Sequence, residues 1–509
     1  MERKIELADL DFKQSEGQDM SGEKSSMDDG KLSVESIIKL INNRQSNELK
    51  SAFESESFQD VNNDSYNESL LMRACMIGDL EIVKILLAYG ADISYESPHY
   101  SYHTALSLAC RLGYLSIVEL LLKHKADPNL PREHLPLIEA CDVGNIAIVE
   151  LLLKNNAEID KFSADFDTCD VDEFGDPEHK DGPNALMMAC AMGAYDLVEL
   201  LIKYGADINV RLDDSDGFAS ITYASRYYRW NVVKLLLANG ADINDEGTGQ
   251  YGTTPLMYAC AEGNMEIILF LLDCGANINE GHYGHSSDYH SPLSFACKHS
   301  HIEVVKFILG HKDFTARDTV IHELVMACDN NRKQLITILL EYLKDIDTVN
   351  MNGNNALCQA VCGGRVRAVK RLLALGAKAD AISDRGSTLL TAAAYHISYH
   401  DAAEAIIKLL IKYGADVNMI DNAGNTVLME CARFQHLPFI KILLDYGADV
   451  TATNHQNKSV YDMLYTPWSC HASRLSDDQV AHIKAVEGLC KQYEESNRRD
   501  CESEDKLLK

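Results

Sequence analysis

A phrase that recurs along the whole chain limits what it can fold into. Leu71–Asp92 reads LMRACMIGDLEIVKILLAYGAD and Leu106–Asp127 reads LSLACRLGYLSIVELLLKHKAD; Leu186–Asp207, Leu256–Asn277 and Leu428–Asp449 carry the phrase again. Its Ala-Cys pair marks Cys75, Cys110, Cys141, Cys190, Cys260, Cys297 and Cys328, spaced by 31 to 37 residues except for two gaps of 49 and 70 residues. The longest gap holds a further copy with Ser225 in the Cys place. A period near ~33 residues belongs to a stack of units, each burying its apolar side on its neighbours, and not to one globular enzyme core.

Each copy predicts a helix, a tight turn, a second helix and an extended hairpin. In one copy Thr254-Pro255 opens the first helix, with Pro where its missing N–H costs nothing. Leu256, Ala259 and Cys260 form the buried side of that helix, and Gly263 closes the turn. Ile267, Ile268, Leu271 and Leu272 bury the second helix, and Gly275 ends it as a left-handed cap. Asn277-Ile278-Asn279 then leads into the hairpin.

Thr254-Pro255-Leu256-Met257-Tyr258-Ala259, Thr104-Ala105-Leu106-Ser107-Leu108-Ala109 and Ser291-Pro292-Leu293-Ser294-Phe295-Ala296 resemble the T-P-L-H-x-A signature of the ankyrin repeat family. The resemblance runs over about residues 32–490, with repeats near 67, 102, 133, 182, 217, 252, 289, 320, 353, 386 and 424. It implies an all-α ankyrin-repeat α-solenoid of about eleven full repeats plus divergent caps. The signature His is absent throughout, and Met72, Met187, Met257 and Met429 are among its replacements. The expected organisation is a disordered acidic arm over 1–30, a divergent capping repeat over 31–66, repeats over 67–456, a capping repeat and helix over 457–493 and a charged tail over 494–509. Repeats eight and ten depart most from the pattern and are expected to be soft places in the stack.

Composition narrows the partner. Lys+Arg 47 against Asp+Glu 77 gives a net charge of −30, which repels phosphate backbones and anionic lipid. No nucleic acid and no membrane partner is expected; a basic partner is favoured in the encounter. The 15 cysteines are odd in number, and seven share one helical position where Cys acts as a slightly larger Ala. Reduced thiols in the cytoplasm, or in the nucleus, follow as the expectation. The opening MERKIELADLDF lacks the apolar core of a signal peptide.

The resemblance implies a concave ligand surface built from the first helices and the hairpin tips. By register, Arg111, Asp142, Met192, Arg226, Tyr227, Glu262, Lys298 and His299 fall there, and Phe218 and Tyr251 add aromatic anchors. Trp230 reads as core, and Tyr228 stands where a turn glycine is usual. The long insertion 161–181 carries Asp170, Asp172 and Glu173; the next fingers carry Asp213, Asp214, Asp216 and Asp245. Together these predict an acidic edge for a basic segment of a protein or peptide partner. No calcium-loop spacing is present. His282, His285 and His290 on one finger are the only hint of metal chemistry, and neither a metal nor another cofactor is expected. Family resemblance also makes the hairpin asparagines Asn209, Asn244, Asn279 and Asn418 candidates for hydroxylation. No phosphate-binding loop, dinucleotide fingerprint, zinc-protease motif or nucleophile elbow occurs, so no enzyme is expected. The reading is a monomeric scaffold or adaptor. Its alternatives are the substrate-recognition subunit of a ubiquitin ligase and an effector acting in a host cell.

Overall fold

The computed structural model describes residues 32–62, 68–97, 103–131, 134–165, 180–211, 217–246, 252–283, 289–383, 386–395, 400–434, 436–464 and 483–495. By their contacts the residues form two compact bodies, 1–189 with 199–206 and 190–198 with 207–509. The first contains the helix pairs α1 (Val34–Asn42) and α2 (Ser46–Glu54), α3 (Leu70–Ile77) and α4 (Leu80–Ala88), α5 (Ala105–Arg111) and α6 (Leu115–Lys123), and α7 (Pro136–Asp142) and α8 (Ile146–Lys154). Residues of α9 (Ala185–Met192) and α10 (Tyr195–Lys203) belong partly to each body. The second body continues with α11 (Ser220–Arg226) and α12 (Trp230–Ala238), α13 (Pro255–Glu262) and α14 (Met265–Asp273), α15 (Pro292–Lys298) and α16 (Ile302–Gly310), and α17 (Arg317–Asp329) and α18 (Lys333–Leu343). It ends with α19 (Ala356–Cys362) and α20 (Val366–Ala374), α21 (Leu389–Tyr395) and α22 (His400–Lys412), α23 (Val427–Arg433) and α24 (Leu437–Asp445), and α25 (Val460–Leu464), while residues 483–495 are also helical.

Capping chemistry sets where the first helices begin. Ser69, Thr104, Thr254, Ser291, Asn355 and Thr426 each stand at an N-cap and accept the N–H of the third helical residue. One such bond satisfies an otherwise orphaned donor and is worth about 1 kcal/mol. The turn to the second helix needs a left-handed residue. Gly263 takes it at φ 79°, and the His301 ring lies over it so closely that a Cβ would sit 2.5 Å from Nδ1. Tyr228 adopts the same region at φ 58°, a conformation costly for a bulky side chain.

Within each body the core repeats with the sequence. Ile82, Val83 and Leu86 in α4, and Ile267, Ile268 and Leu271 in α14, are buried at the i, i+1, i+4 positions, while Leu272 is only half-buried. The Ala-Cys positions are buried because α13, for example, packs both on its own α14 and on α15 of the next repeat, leaving room only for small side chains. Met72, Met187, Met257 and Met429 are also buried, so the signature His position is filled by apolar packing.

The hairpins are shorter than the repeat pattern predicts. Strand pairing is two residues long between β1 (Ala164–Asp165) and β2 (Lys180–Asp181), and between β3 (His282–Tyr283) and β4 (Tyr289–His290). Elsewhere among the described residues it falls to single bridges such as Arg211 with Ala219. The fingers are held instead by an asparagine clasp. Asn209 Oδ1 accepts the Asp242 N–H at 3.0 Å and its Nδ2 donates to the Gly240 carbonyl at 3.1 Å. Asn279 accepts from Thr315 N–H at 2.7 Å and donates to the Asp313 carbonyl at 2.7 Å. Asn418 repeats both bonds with Asp449 and Gly447, and Asn244 accepts from Asn277 N–H. Among the described residues no helix is long and apolar enough to cross a membrane.

Candidate interaction site

In the second body the C-terminal ends of successive first helices carry an exposed row: Met192, Arg226, Tyr227, Glu262, Lys298 and His299. Tyr227 is 49% exposed, the most of the aromatic residues in this row's neighbourhood. The register that produces the repeat also produces this row, because the second position after the buried Cys, or after Ser225, is exposed at the end of each of these helices: Met192, Tyr227, Glu262 and His299. Two tethers hold its polar members. Trp230 Nε1–H donates to Glu262 Oε2 at 2.7 Å, and Asn264 Nδ2 reaches the same oxygen at 3.2 Å. Arg332 Nη1 donates to the carbonyls of Cys297 and Lys298, at 2.5 and 3.0 Å, and fixes the end of α15. The pKa of His299 is lowered by partial burial and by its neighbours His301, Lys298 and Arg332, so this position favours the neutral imidazole.

Beside Lys298 a cavity of about 240 Å³ opens between α15 and α17. Tyr289, Phe295, His322 and Met326 line it with apolar and aromatic surface, and Lys298, Glu323 and Arg332 add charge. Such a concave, mainly apolar recess with a few polar groups accommodates one side chain of a bound segment.

Other expected site residues stand elsewhere. In the first body Arg111 and Asp142 end α5 and α7. Arg111 Nη1 contacts His103 Nε2 at 3.3 Å and its Nε lies 3.9 Å from Glu139 Oε2 on α7, so it is engaged at the boundary between two repeats. Phe218 is only 4% exposed, with the Arg226 guanidinium 5.9 Å from its ring centroid; it is a packing residue and not a presented anchor. Trp230, expected in the core, is half-buried at the start of α12, where its indole N–H is satisfied by Glu262. Asp245, expected on the acidic edge, is buried at 1% exposure, paired with Arg211 at 2.5 Å and bonded by the Thr222 hydroxyl at 2.7 Å. Tyr251, Asp170, Asp172, Glu173, Asp213, Asp214, Asp216 and His285 lie outside the described residues, as does the side chain of His282. His290 packs edge-on against Phe295 with ring centroids 5.7 Å apart. The clasp asparagines Asn209, Asn279 and Asn418 have both ends of their amides engaged across the repeat boundary.

One grouping escaped the sequence reading. His103, His134 and Glu139 bring their ligand-capable atoms within 4.8 Å of one another, the one such group among the described residues. The two imidazoles stack 3.8 Å apart, 18° from parallel. His103 Nδ1 contacts Ser107 Oγ at 3.0 Å and His134 Nδ1 contacts Glu139 Oε1 at 2.8 Å. The Arg111 guanidinium, on His103 Nε2 and near Glu139, already places a cation at the group, which reads as a polar junction between repeats. Only the coincidence of His103 and His134 just before successive first helices signals it in the sequence. The buried cysteines of the first helices are no more reactive. Burial pushes the Cys75, Cys141, Cys190 and Cys260 thiols far up and Cys328 up to about 12, so the nucleophilic thiolate is suppressed.

The family profile described as "Ankyrin repeats (3 copies)" matches residues 71–163, 137–247, 223–318, 324–408 and 376–454. The ankyrin repeat domain of human ASB11, known from a crystal structure, is similar over 48% of this chain and 99% of that domain, at 24% identity and a TM-score of 0.37. A search of curated proteins returns no match.

Proposed function

The chain belongs to the ankyrin repeat family, and from that premise we propose that it is a non-catalytic adaptor that binds a protein or peptide segment along the first-helix ends of its second body. Ankyrin repeats are in general protein–protein interaction modules. The observation that carries the specific reading is the exposed row from Met192 to His299 beside the aromatic cavity between α15 and α17. A row that mixes Tyr, Met, Arg and Glu suits a peptide that lays an apolar side chain into a recess and satisfies its polar groups on either side. The net charge of −30 favours a basic segment in the encounter and disfavours nucleic acid and anionic membrane. The described cysteines are all free, which supports a reducing compartment, the cytosol or nucleus, and the reading is of a monomer.

Selection of a random peptide library on the full chain tests this. One enriched sequence pattern is expected, with binding lost in Tyr227→Ala and in Met326→Trp, which fills the cavity, while both variants melt as the wild type does. Enrichment indifferent to both variants, or none at all, removes the site from this surface.

A further inference from the structure

Against the acidity of the whole chain, residues 330–378 hold eight Lys and Arg but three Asp and Glu. The structure places these cations together. On α20, Arg367, Lys370 and Arg371 share one side, at i, i+3 and i+4, opposite the buried Ala368, Val369, Leu372 and Leu373. Across from Arg371, α18 begins with Lys333 and is capped by Lys344. A shallow groove lies between the two helices, lined by Lys333, Ile336, Leu340, Lys344, Arg371 and Leu375, with Thr337 and the single carboxylate Glu341.

Four lysines on other second helices are balanced within one turn: Lys84 by Glu81 at 2.6 Å, Lys154 by Glu150 at 2.8 Å, Lys306 by Glu303 at 2.9 Å and Lys408 by Glu404 at 2.6 Å. Lys333, Lys344, Arg367, Lys370 and Arg371 form no ion pair among the described residues.

We propose that the α18–α20 face is a second docking surface, and that its occupant is an acidic polypeptide segment that also carries apolar side chains. Charge complementarity selects the acid. The apolar component is selected by Leu340 and Leu375, the latter 39% exposed in the midst of the cations. A short segment is preferred to a nucleic acid duplex or an anionic bilayer on physical grounds. Extended polyanions meet the −30 field of the rest of the chain, whereas a segment confined to the groove is screened from charges beyond a Debye length of about 8 Å. This surface is separate from the first-helix row, and its failure would leave that reading intact.

The test uses the full chain and a fluorescein-labelled peptide of repeated Glu-Glu-Leu, with a Gln-Gln-Leu peptide, a single-stranded oligonucleotide and phosphatidylserine vesicles as the other probes. The acidic peptide is expected to bind about tenfold or more tighter than its Gln counterpart and to weaken as salt is raised. Lys333→Glu with Lys344→Glu should abolish binding without changing the melting curve. Arg367→Gln with Lys370→Gln should weaken it in part, and Lys84→Glu with Lys154→Glu should leave it unchanged. Equal affinity for the Gln peptide, indifference to the α18 variant, tighter binding of the oligonucleotide or vesicles, or no binding of the acidic peptide would each overturn the proposal. So would an α18 variant that loses binding only because it unfolds, if the α20 variant then binds as the wild type does.

Discussion

Burial of His103 makes the first repeats sensitive to acid. Its pKa is lowered from 6.5 to about 3, first by loss of solvent and then by the charges of His134 and Arg111. The unfolded chain therefore binds a proton between these values that the folded chain refuses. The contribution to stability is fully present above about pH 6.5 and is lost as the pH falls toward about 3, at a slope of up to ~1.4 kcal/mol per pH unit. Thermal or urea unfolding followed by probes in α5 and α7 should show this loss between pH 7 and pH 5. His103→Gln should flatten the slope while lowering stability at pH 7; an equal slope in that variant would assign the acid sensitivity to other groups. The same scale shows where register misleads. Phe218, Trp230 and Asp245 each occupy a position whose usual exposure they do not share, because a neighbour on another repeat or finger, Glu262 for Trp230 and Arg211 for Asp245, decides where the side chain goes.

Among the elements, the turn between the two helices is the strictest. Gly263→Ala must keep φ near 79° and push a methyl against the His301 ring, which itself reaches the Ala261 carbonyl through Nε2 at 2.9 Å. Gly275→Ala meets nothing within 4 Å, although its φ is 97°. The second variant should cost about 1 kcal/mol for the left-handed backbone alone, and the first roughly 1–2 kcal/mol more. Equal melting of the two variants would mean that His301 yields at no cost. Helix starts and turn glycines were legible here because each depends on residues adjacent in sequence. Hairpin length was not, since a finger pairs only where the two chains happen to run together, and in this protein an asparagine holds it from the side.

At the scale of a whole body, stability is a sum over neighbours. Asn279→Ala deletes three hydrogen bonds, to Thr315, Ala316 and Asp313, and should cost roughly 1–3 kcal/mol. In a stack that penalty falls on one boundary. Amide exchange should therefore accelerate in α13 to α16 well before it changes in α23 and α24 of the same body; a uniform acceleration would show that the body opens as one cooperative unit instead. The charge of the molecule is also local in its effect: −30 in total, with a cationic face on α18 and α20 that the total conceals.

The repeat period determined the all-α stack, the buried Ala-Cys positions, the left-handed turns and which residues end the first helices, because all of these follow from spacing along one short segment. Tertiary structure alone decided that His103 stacks on His134, that Asp245 is sealed against Arg211 and Thr222, that a cavity opens between α15 and α17, and that Lys333 and Lys344 of α18 share one groove with Arg371 of α20. These arrangements join side chains from different repeats or fingers, and a periodic sequence states which slot each residue fills without stating how the chemistry of one slot meets that of the next.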